Sequence, residues 1–162
     1  MRVSGMTLVL TLFAASFANA GERDVIDLVA RDSLRASKMA LEQAPLKSAA
    51  DVYQYNRAMP QHLNPLSALS NSDRVRFLQS LRFNEKGLTE FDYTALKGLS
   101  SAEVYKLLAL FGMQGGSDLL SSSPKSGGAS QQMMMAEFLI DHYCESKGTC
   151  REDNSRACTS NC

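Results

Sequence analysis

Apolar residues recur at helical spacing through the first third of the chain. Between Glu22 and Gln43 they fit a helical stripe better than strict alternation, and Pro45 ends the run. Ser48 to Asp51 is a typical helix start, and the apolar run behind it stops at Pro60. The pattern therefore predicts two helices, followed by a connector over residues 60–71.

The middle third carries clear start and stop signals. Ser70 or Ser72 can cap a helix that runs to about Arg82, and residues 84–87 (Asn-Glu-Lys-Gly) have the composition of a turn. Thr89 to Asp92 has a capping pattern, which predicts a short helix that ends at Gly98.

The next helix has the most complete signal. Ser100 and Glu103 have the spacing of a capping box, in which the serine side chain accepts a backbone N–H and the glutamate reaches back to the cap. Apolar residues then recur at i, i+3, i+4 and i+7, and Gly112 supplies the stop. We predict a well-capped amphipathic helix that ends at Gly112.

The last third changes in character. Residues 113–132 have too few apolar side chains to offset the loss of chain entropy, so we predict a flexible Ser/Gly linker there. Beyond it the pattern predicts one more helix, to residue 143. No segment has a convincing strand pattern. The expected fold is all-α: a single small domain of five to six short helices, with a helical core over 21–112 and a C-terminal helix and cystine tail over 133–162.

The first 20 residues have the order of a secretory signal peptide. Arg2 supplies a positive charge, an apolar run extends from Met6 to Phe17, and Ala18 to Ala20 provide the small residues of a cleavage site. The apolar run is shorter than the roughly 20 residues that cross a bilayer. We expect cleavage after Ala20 and an exported protein, periplasmic or extracellular, with no membrane attachment afterwards.

All four cysteines lie near the end of the sequence: Cys144, Cys150, Cys158 and Cys162. In an oxidising compartment an even number favours full pairing, and three connectivities are open. A zinc site that recruits His142 is the alternative, but no C-x-x-C pair is present. We predict two disulfides, and neither a metal nor a cofactor.

The balance of charge disfavours two classes of partner. Loss of the leader removes Arg2 from the 17 basic residues, against 17 acidic ones, and neither sign forms a block. Phosphate binding needs a clustered Lys/Arg face, so we expect no nucleic-acid partner. A cationic helix on a membrane surface needs similar clustering.

Candidate catalytic residues are few. Glu137 and Asp141 lie at i and i+4 on the predicted last helix, with His142 beside them, which is compatible with acid–base chemistry or a divalent ion. Acidic pairs at this spacing are also common on solvated helix faces. The sequence contains no nucleophile elbow, phosphate loop, dinucleotide fingerprint or zinc-protease motif.

Small size, scarce histidines and missing catalytic motifs favour a binding protein over an enzyme. We expect an exported protein that acts on a protein partner through its surface, as an inhibitor, an immunity-type neutraliser of a toxin or an accessory subunit. A small hydrolase that uses Glu137, Asp141 and His142 is one alternative. A secreted effector is the other.

Overall fold

The computed structural model describes residues 18–120 and 138–162, with side chains from Leu28 onward apart from Asp118 and Leu119. In addition to helices, the structure contains a four-stranded antiparallel sheet. The predicted all-α class is therefore wrong, and the fold combines helices with a sheet. Within the described residues, no helix is both long and apolar enough to cross a membrane.

Helices and helical turns make up most of residues 18–80. They are α1 (Ala18–Gln43), α2 (Ala49–Ala58) and α3 (Asn71–Ser80), with 3₁₀ turns at Gln61–Leu63 and Pro65–Ala68 between the last two. The side chains of Ser48 and Ser70 accept N–H bonds from the first turns of α2 and α3. Both helix starts are thus correctly predicted.

The turn at 84–87 joins two strands, not two helices. β1 (Arg82–Asn84) and β2 (Gly87–Asp92) pair antiparallel across it. Gly87 has φ of +127°, a conformation open to glycine because it lacks a Cβ. The turn composition was therefore correctly recognised, whereas the elements on either side of it were not.

The helix expected to begin at Thr89 is absent, because Thr89 to Asp92 belongs to β2. This strand is buried along most of its length, so it shows no alternation of apolar and polar residues. The cap lies later: the carboxylate of Asp92 accepts the N–H of Thr94 and begins the 3₁₀ turn Tyr93–Leu96.

α4 (Ser101–Ala109) begins at the predicted capping box. The backbone N–H of Ser100 donates to Oε2 of Glu103 at 2.8 Å, and the Ser100 hydroxyl accepts the N–H of Glu103. The segment predicted as a linker starts with a 3₁₀ turn, Gln114–Gly116, and the short helix α5 (Ser117–Leu120). The rest of that segment lies outside the described residues.

Residues 138–143 of the predicted C-terminal helix are strand instead, and residues 133–137 lie outside the described residues. β3 (Phe138–Ser146) and β4 (Thr149–Thr159) form a hairpin, and β4 pairs with β2, which gives the sheet order β1-β2-β4-β3. Pairing with β4 thus decides the conformation of a segment whose local pattern resembles a helix.

The core lies between the sheet and helices α3 and α4. Phe77 of α3 meets Phe91 of β2 and Phe111, which follows α4, edge to face at centroid distances of 6.0 and 6.1 Å. Phe138 of β3 meets Phe91 at 5.6 Å. The aromatic cluster therefore packs α3 and the segment that follows α4 against strands β2 and β3.

Candidate functional site

The β3–β4 hairpin is interrupted by a large bulge. Ile140 pairs with Ala157, but His142, two residues further along β3, pairs with Glu152. Asp141 of β3 therefore lies opposite residues 153–156 of β4. Asp141 has φ of +59°, a left-handed conformation that is uncommon for a residue other than glycine. Bulges of this kind bend a hairpin and often occur beside functional sites.

The two disulfides show how far the hairpin bends. Their pairing is Cys144–Cys162 and Cys150–Cys158. A straight strand would separate the Cα atoms of Cys150 and Cys158, eight residues apart, by roughly 26 Å, whereas they are 6.0 Å apart. The outer half of the hairpin (142–152) therefore folds over the inner half (138–140 with 157–162), and each disulfide joins one half to the other.

This pairing confirms that the cysteines form two disulfides. The Sγ atoms of Cys144, Cys158 and Cys162 lie within 4.8 Å of one another, close enough in distance for a metal site. Zinc binds thiolates, however, and each of these sulfurs already belongs to a disulfide. In this oxidised form the cluster has no thiolate to offer.

A tyrosine holds the bend on one side. The hydroxyl of Tyr93 donates to Oδ1 of Asp141 at 2.5 Å. This hydrogen bond, together with burial of the ring, raises the pKa of Tyr93 from 10.0 to about 12, because both favour the protonated hydroxyl. The Nζ atom of Lys97 lies 5.4 Å from the centroid of the same ring. Tyr93 is thus a protonated donor at neutral pH, not a base.

The opposite side of the bend is a turn closed by Asp153. Its Oδ1 accepts the backbone N–H of Ser155 at 2.9 Å and the hydroxyl of Ser155 at 2.8 Å. These hydrogen bonds lower the pKa of Asp153 because they stabilise the carboxylate. The bulge is therefore an ordered turn with its own local bonds.

A buried carboxylate ties the folded hairpin to β2. Glu90 is only 3% exposed, and its Oε1 accepts from Nη1 of Arg156 at 2.5 Å. The other oxygen, Oε2, accepts the backbone N–H of Cys144 at 2.8 Å. Both oxygens thus have a partner, as a buried charge requires.

The predicted catalytic residues do not assemble. Glu137 lies outside the described residues. Asp141 is bonded to Tyr93, whereas Nδ1 of His142 lies 2.9 Å from the carbonyl oxygen of Ile140. Among the hydrogen bonds of the described residues, none joins Asp141 to His142. The geometry gives the hydrolase alternative no support.

The polar groups that hold the bend were missed from the sequence. Tyr93 is 48 residues from Asp141, and Glu90 is 66 residues from Arg156. Neither pair leaves a local pattern. A buried glutamate in an otherwise apolar strand is visible only when the strand itself is recognised.

A second candidate site is the helix α1, which is anchored at its C-terminal end. Gly112, with φ of +74°, approaches so closely that a Cβ there would lie 2.4 Å from the carbonyl oxygen of Ala40. Just beyond α1, the N–H of Leu46 donates to the oxygen of Leu110 at 3.0 Å. Leu41 packs against the core. These contacts hold the last turn of α1 and the chain that follows it.

The side chains on α1 are distributed in an unusual way. Its half-buried positions share one stripe, and four of the five carry Ala or Ser: Ala30, Ser33, Ser37, Ala40 and Leu41. Four other large apolar side chains lie outside this stripe and are 51–60% exposed: Leu28, Val29, Leu34 and Met39. A helix that only packed on its own domain would place the large side chains inward.

Basic residues accompany these apolar ones. Arg31, Arg35 and Lys38 are exposed and follow i, i+4, i+7 spacing. At 100° per residue this basic stripe lies between Leu34 on one side and Leu28 and Met39 on the other. We call these six residues the α1 outer face.

Comparison with known proteins adds no further constraint. No protein-family model matches the chain, and no curated protein or solved structure is detectably similar to it. The candidate sites are therefore defined by their own geometry.

Proposed function

We propose that the protein is an exported binding protein that holds a protein partner on the α1 outer face. The observation that supports this is the exposure of Leu28, Leu34 and Met39 on a helix whose half-buried stripe carries Ala or Ser at four of its five positions. These side chains are 51–60% exposed, so covering one of them stabilises by roughly half of the 1.5–3 kcal/mol of full burial. A partner that covers all three gains roughly 2–4 kcal/mol towards the cost of association. Export is supported by the leader pattern at 1–20 and by two disulfides.

Charge complementarity defines the partner further. Arg31 and Arg35 lie between the apolar residues of the α1 outer face, whereas Lys38 already pairs with Glu42 at 3.9 Å. The matching surface therefore carries Asp or Glu opposite the two arginines, between two apolar rows. A helix or groove of a folded protein provides such a pattern. Bilayer lipid is disfavoured, because residues 28–43 contain three basic and two acidic residues, and Asp32 lies close to Met39 around the helix.

The test is capture of the partner by the exported protein, with a photo-crosslinker placed at position 35. We expect one dominant cross-linked protein, and its loss in the variant Leu28→Ser/Leu34→Ser/Met39→Ser. Leu63→Ser/Val75→Ser is the matched control, because these side chains are 61% and 52% exposed but lie outside α1. The control should retain the partner.

Two results would contradict the proposal. One is capture that survives in the α1 variant, and the other is binding of the wild type to anionic vesicles with no cross-linked protein. The thermal midpoints of both variants should stay close to that of the wild type, because exposed positions contribute little to stability. The identity of the captured protein then distinguishes an inhibitor or toxin neutraliser from an accessory subunit.

A further inference from the structure

The cysteines are arranged so that a second pairing is within reach. Cys144 and Cys150 of the outer half are direct cross-strand neighbours in the β3–β4 register, although each is bonded elsewhere. In the inner half, the Sγ atoms of Cys158 and Cys162 lie within 4.8 Å of each other. Each cysteine therefore has one neighbour across the fold and another within its own half.

We propose that these four cysteines form a disulfide switch. In the closed pairing of the structure, both bonds join the outer half to the inner half. In the open pairing, Cys144–Cys150 lies within the outer half and Cys158–Cys162 within the inner half. No covalent bond then holds the fold-over, and the outer half opens at Asp141 and the 153–156 turn. The switch concerns the hairpin and does not depend on the α1 outer face.

The exchange needs only a small thiol as catalyst. The thiolate RS⁻ attacks Sγ of Cys144, forms a mixed disulfide there and releases the thiolate of Cys162. This thiolate attacks Sγ of Cys158, forming Cys158–Cys162 and releasing the thiolate of Cys150. Finally Cys150 attacks the mixed disulfide, forms Cys144–Cys150 and regenerates RS⁻. Two disulfides are present before and after, so no net oxidant or reductant is consumed.

The sulfur attacked first belongs to the more exposed cysteine of its disulfide, because Cys144 is half-buried whereas Cys162 is only 7% exposed. Cys144 and Cys162 line an open cleft of about 540 Å³ between the turns of the two hairpins. Lys86 and Lys147 also line this cleft. Positive charge lining the cleft stabilises the thiolate that leaves and so favours its release.

Non-covalent contacts keep the hairpin closed. Tyr93 holds Asp141 at the bend, and Glu90 holds the backbone of Cys144. Opening breaks both contacts, so a variant that lacks one of them opens more readily. Tyr93→Phe removes one hydroxyl and keeps the ring, which makes it the first choice, and Glu90→Gln is a second, independent variant.

Trypsin separates the pairings by mass. Cleavage after Lys147, Arg151 and Arg156 isolates Cys144 and Cys150 in separate peptides and leaves Cys158 and Cys162 together in residues 157–162. The closed pairing yields three peptides joined by two disulfides. The open pairing yields a two-peptide species and a 157–162 peptide with an internal bond.

The experiment incubates the purified protein with substoichiometric reduced glutathione, blocks thiols by alkylation and maps the non-reduced digest. We expect the open-pairing species to appear while circular dichroism retains the sheet. Tyr93→Phe should form it roughly tenfold faster, the factor expected for loss of one hydrogen bond to a charged group. Tyr105→Phe, at an exposed tyrosine of α4, should match the wild type.

The proposal is overturned if wild type, Tyr93→Phe and Glu90→Gln all remain in the three-peptide species. It is equally overturned if the open pairing appears only together with loss of the sheet signal, because that result describes scrambling of an unfolded chain. If Tyr93→Phe and Glu90→Gln both form the open pairing at the wild-type rate, the contacts of Tyr93 and Glu90 do not keep the hairpin closed.

Discussion

Helix α3 in the domain core and helix α1 both have apolar residues at helical spacing. A large apolar residue of α3 is buried, whereas the large apolar residues of the α1 outer face are exposed. Phe77 of α3 is fully buried and packs against two other aromatic rings. Leu34 of α1 is 55% exposed. The difference depends on whether another part of the chain covers the apolar side. An amphipathic pattern thus predicts a helix, but not what its apolar face contacts.

The largest difference should appear when one side chain from each region is removed. Phe77→Ala should lower the free energy of unfolding by about 3–5 kcal/mol, because it leaves a cavity in the aromatic cluster. Leu34→Ala should change it by less than about 0.5 kcal/mol. Urea unfolding of both variants measures this. Equal losses of unfolding free energy in the two variants would mean that Leu34 of α1 is buried against the domain core in solution.

The junction between the two regions gives the next largest effect. Gly112→Ala should cost about 2 kcal/mol, because alanine is strained at a φ of +74° and its Cβ would meet the backbone of Ala40. Hydrogen exchange should show lost protection in the last turns of α1. Gly98→Ala is the control, since a Cβ there meets nothing within 4 Å. Similar behaviour of the two variants would contradict the described anchoring of α1.

A smaller effect is expected at the bend of the hairpin. Tyr93→Phe should cost about 1–2 kcal/mol at neutral pH, through loss of the hydrogen bond to the exposed Asp141. The pKa of Tyr93 is higher in the folded state, so this contribution is complete below pH 10 and is lost as the pH rises towards 12.

Denaturant unfolding across that range, compared with Tyr93→Phe, isolates the contribution of Tyr93. The wild type should lose its advantage over the variant at high pH, and Tyr105→Phe should behave like the wild type. If the difference in unfolding free energy between the wild type and Tyr93→Phe stayed constant from pH 8 to about 12, protonation of the Tyr93 hydroxyl would not contribute to stability.

The smallest effect should come from the surface of α1. Lys38 and Glu42 form an ion pair at 3.9 Å, with side chains 78% and 65% exposed. Glu42→Gln should change the free energy of unfolding by less than about 0.5 kcal/mol, because water screens such pairs. Chemical denaturation measures it, and a loss above about 1 kcal/mol would indicate that this part of α1 is covered.

The helices could be predicted because their signals are local. Ser48, Ser70 and Ser100 each lie within three residues of the N–H groups that they cap, so the spacing alone identifies the start of each helix. The 84–87 turn is local too. Its composition does not say whether helices or strands flank it, which is why the sheet was missed.

The sheet and the candidate sites depend on distant contacts. β2 lacks alternation because it is buried, and the polar Glu90 within it is stabilised by Arg156 and Cys144 from the far end of the chain. The fold-over of the hairpin follows from one of three possible cysteine pairings, between which spacing does not choose. Likewise, the sequence alone does not show that the large side chains of α1 are exposed, because this depends on where the rest of the domain lies relative to α1.

The sheet order also determines when β2 can complete its strand pairing during folding. The hydroxyl of Thr159 and the side-chain amide of Asn161 both donate to the carbonyl oxygen of Leu88, across 71 and 73 residues of sequence. β2 therefore has no second neighbour until β4 has been synthesised. Contacts so distant along the chain form slowly, because a large loop must close first. The growing polypeptide thus stays incompletely folded until β4 has been synthesised.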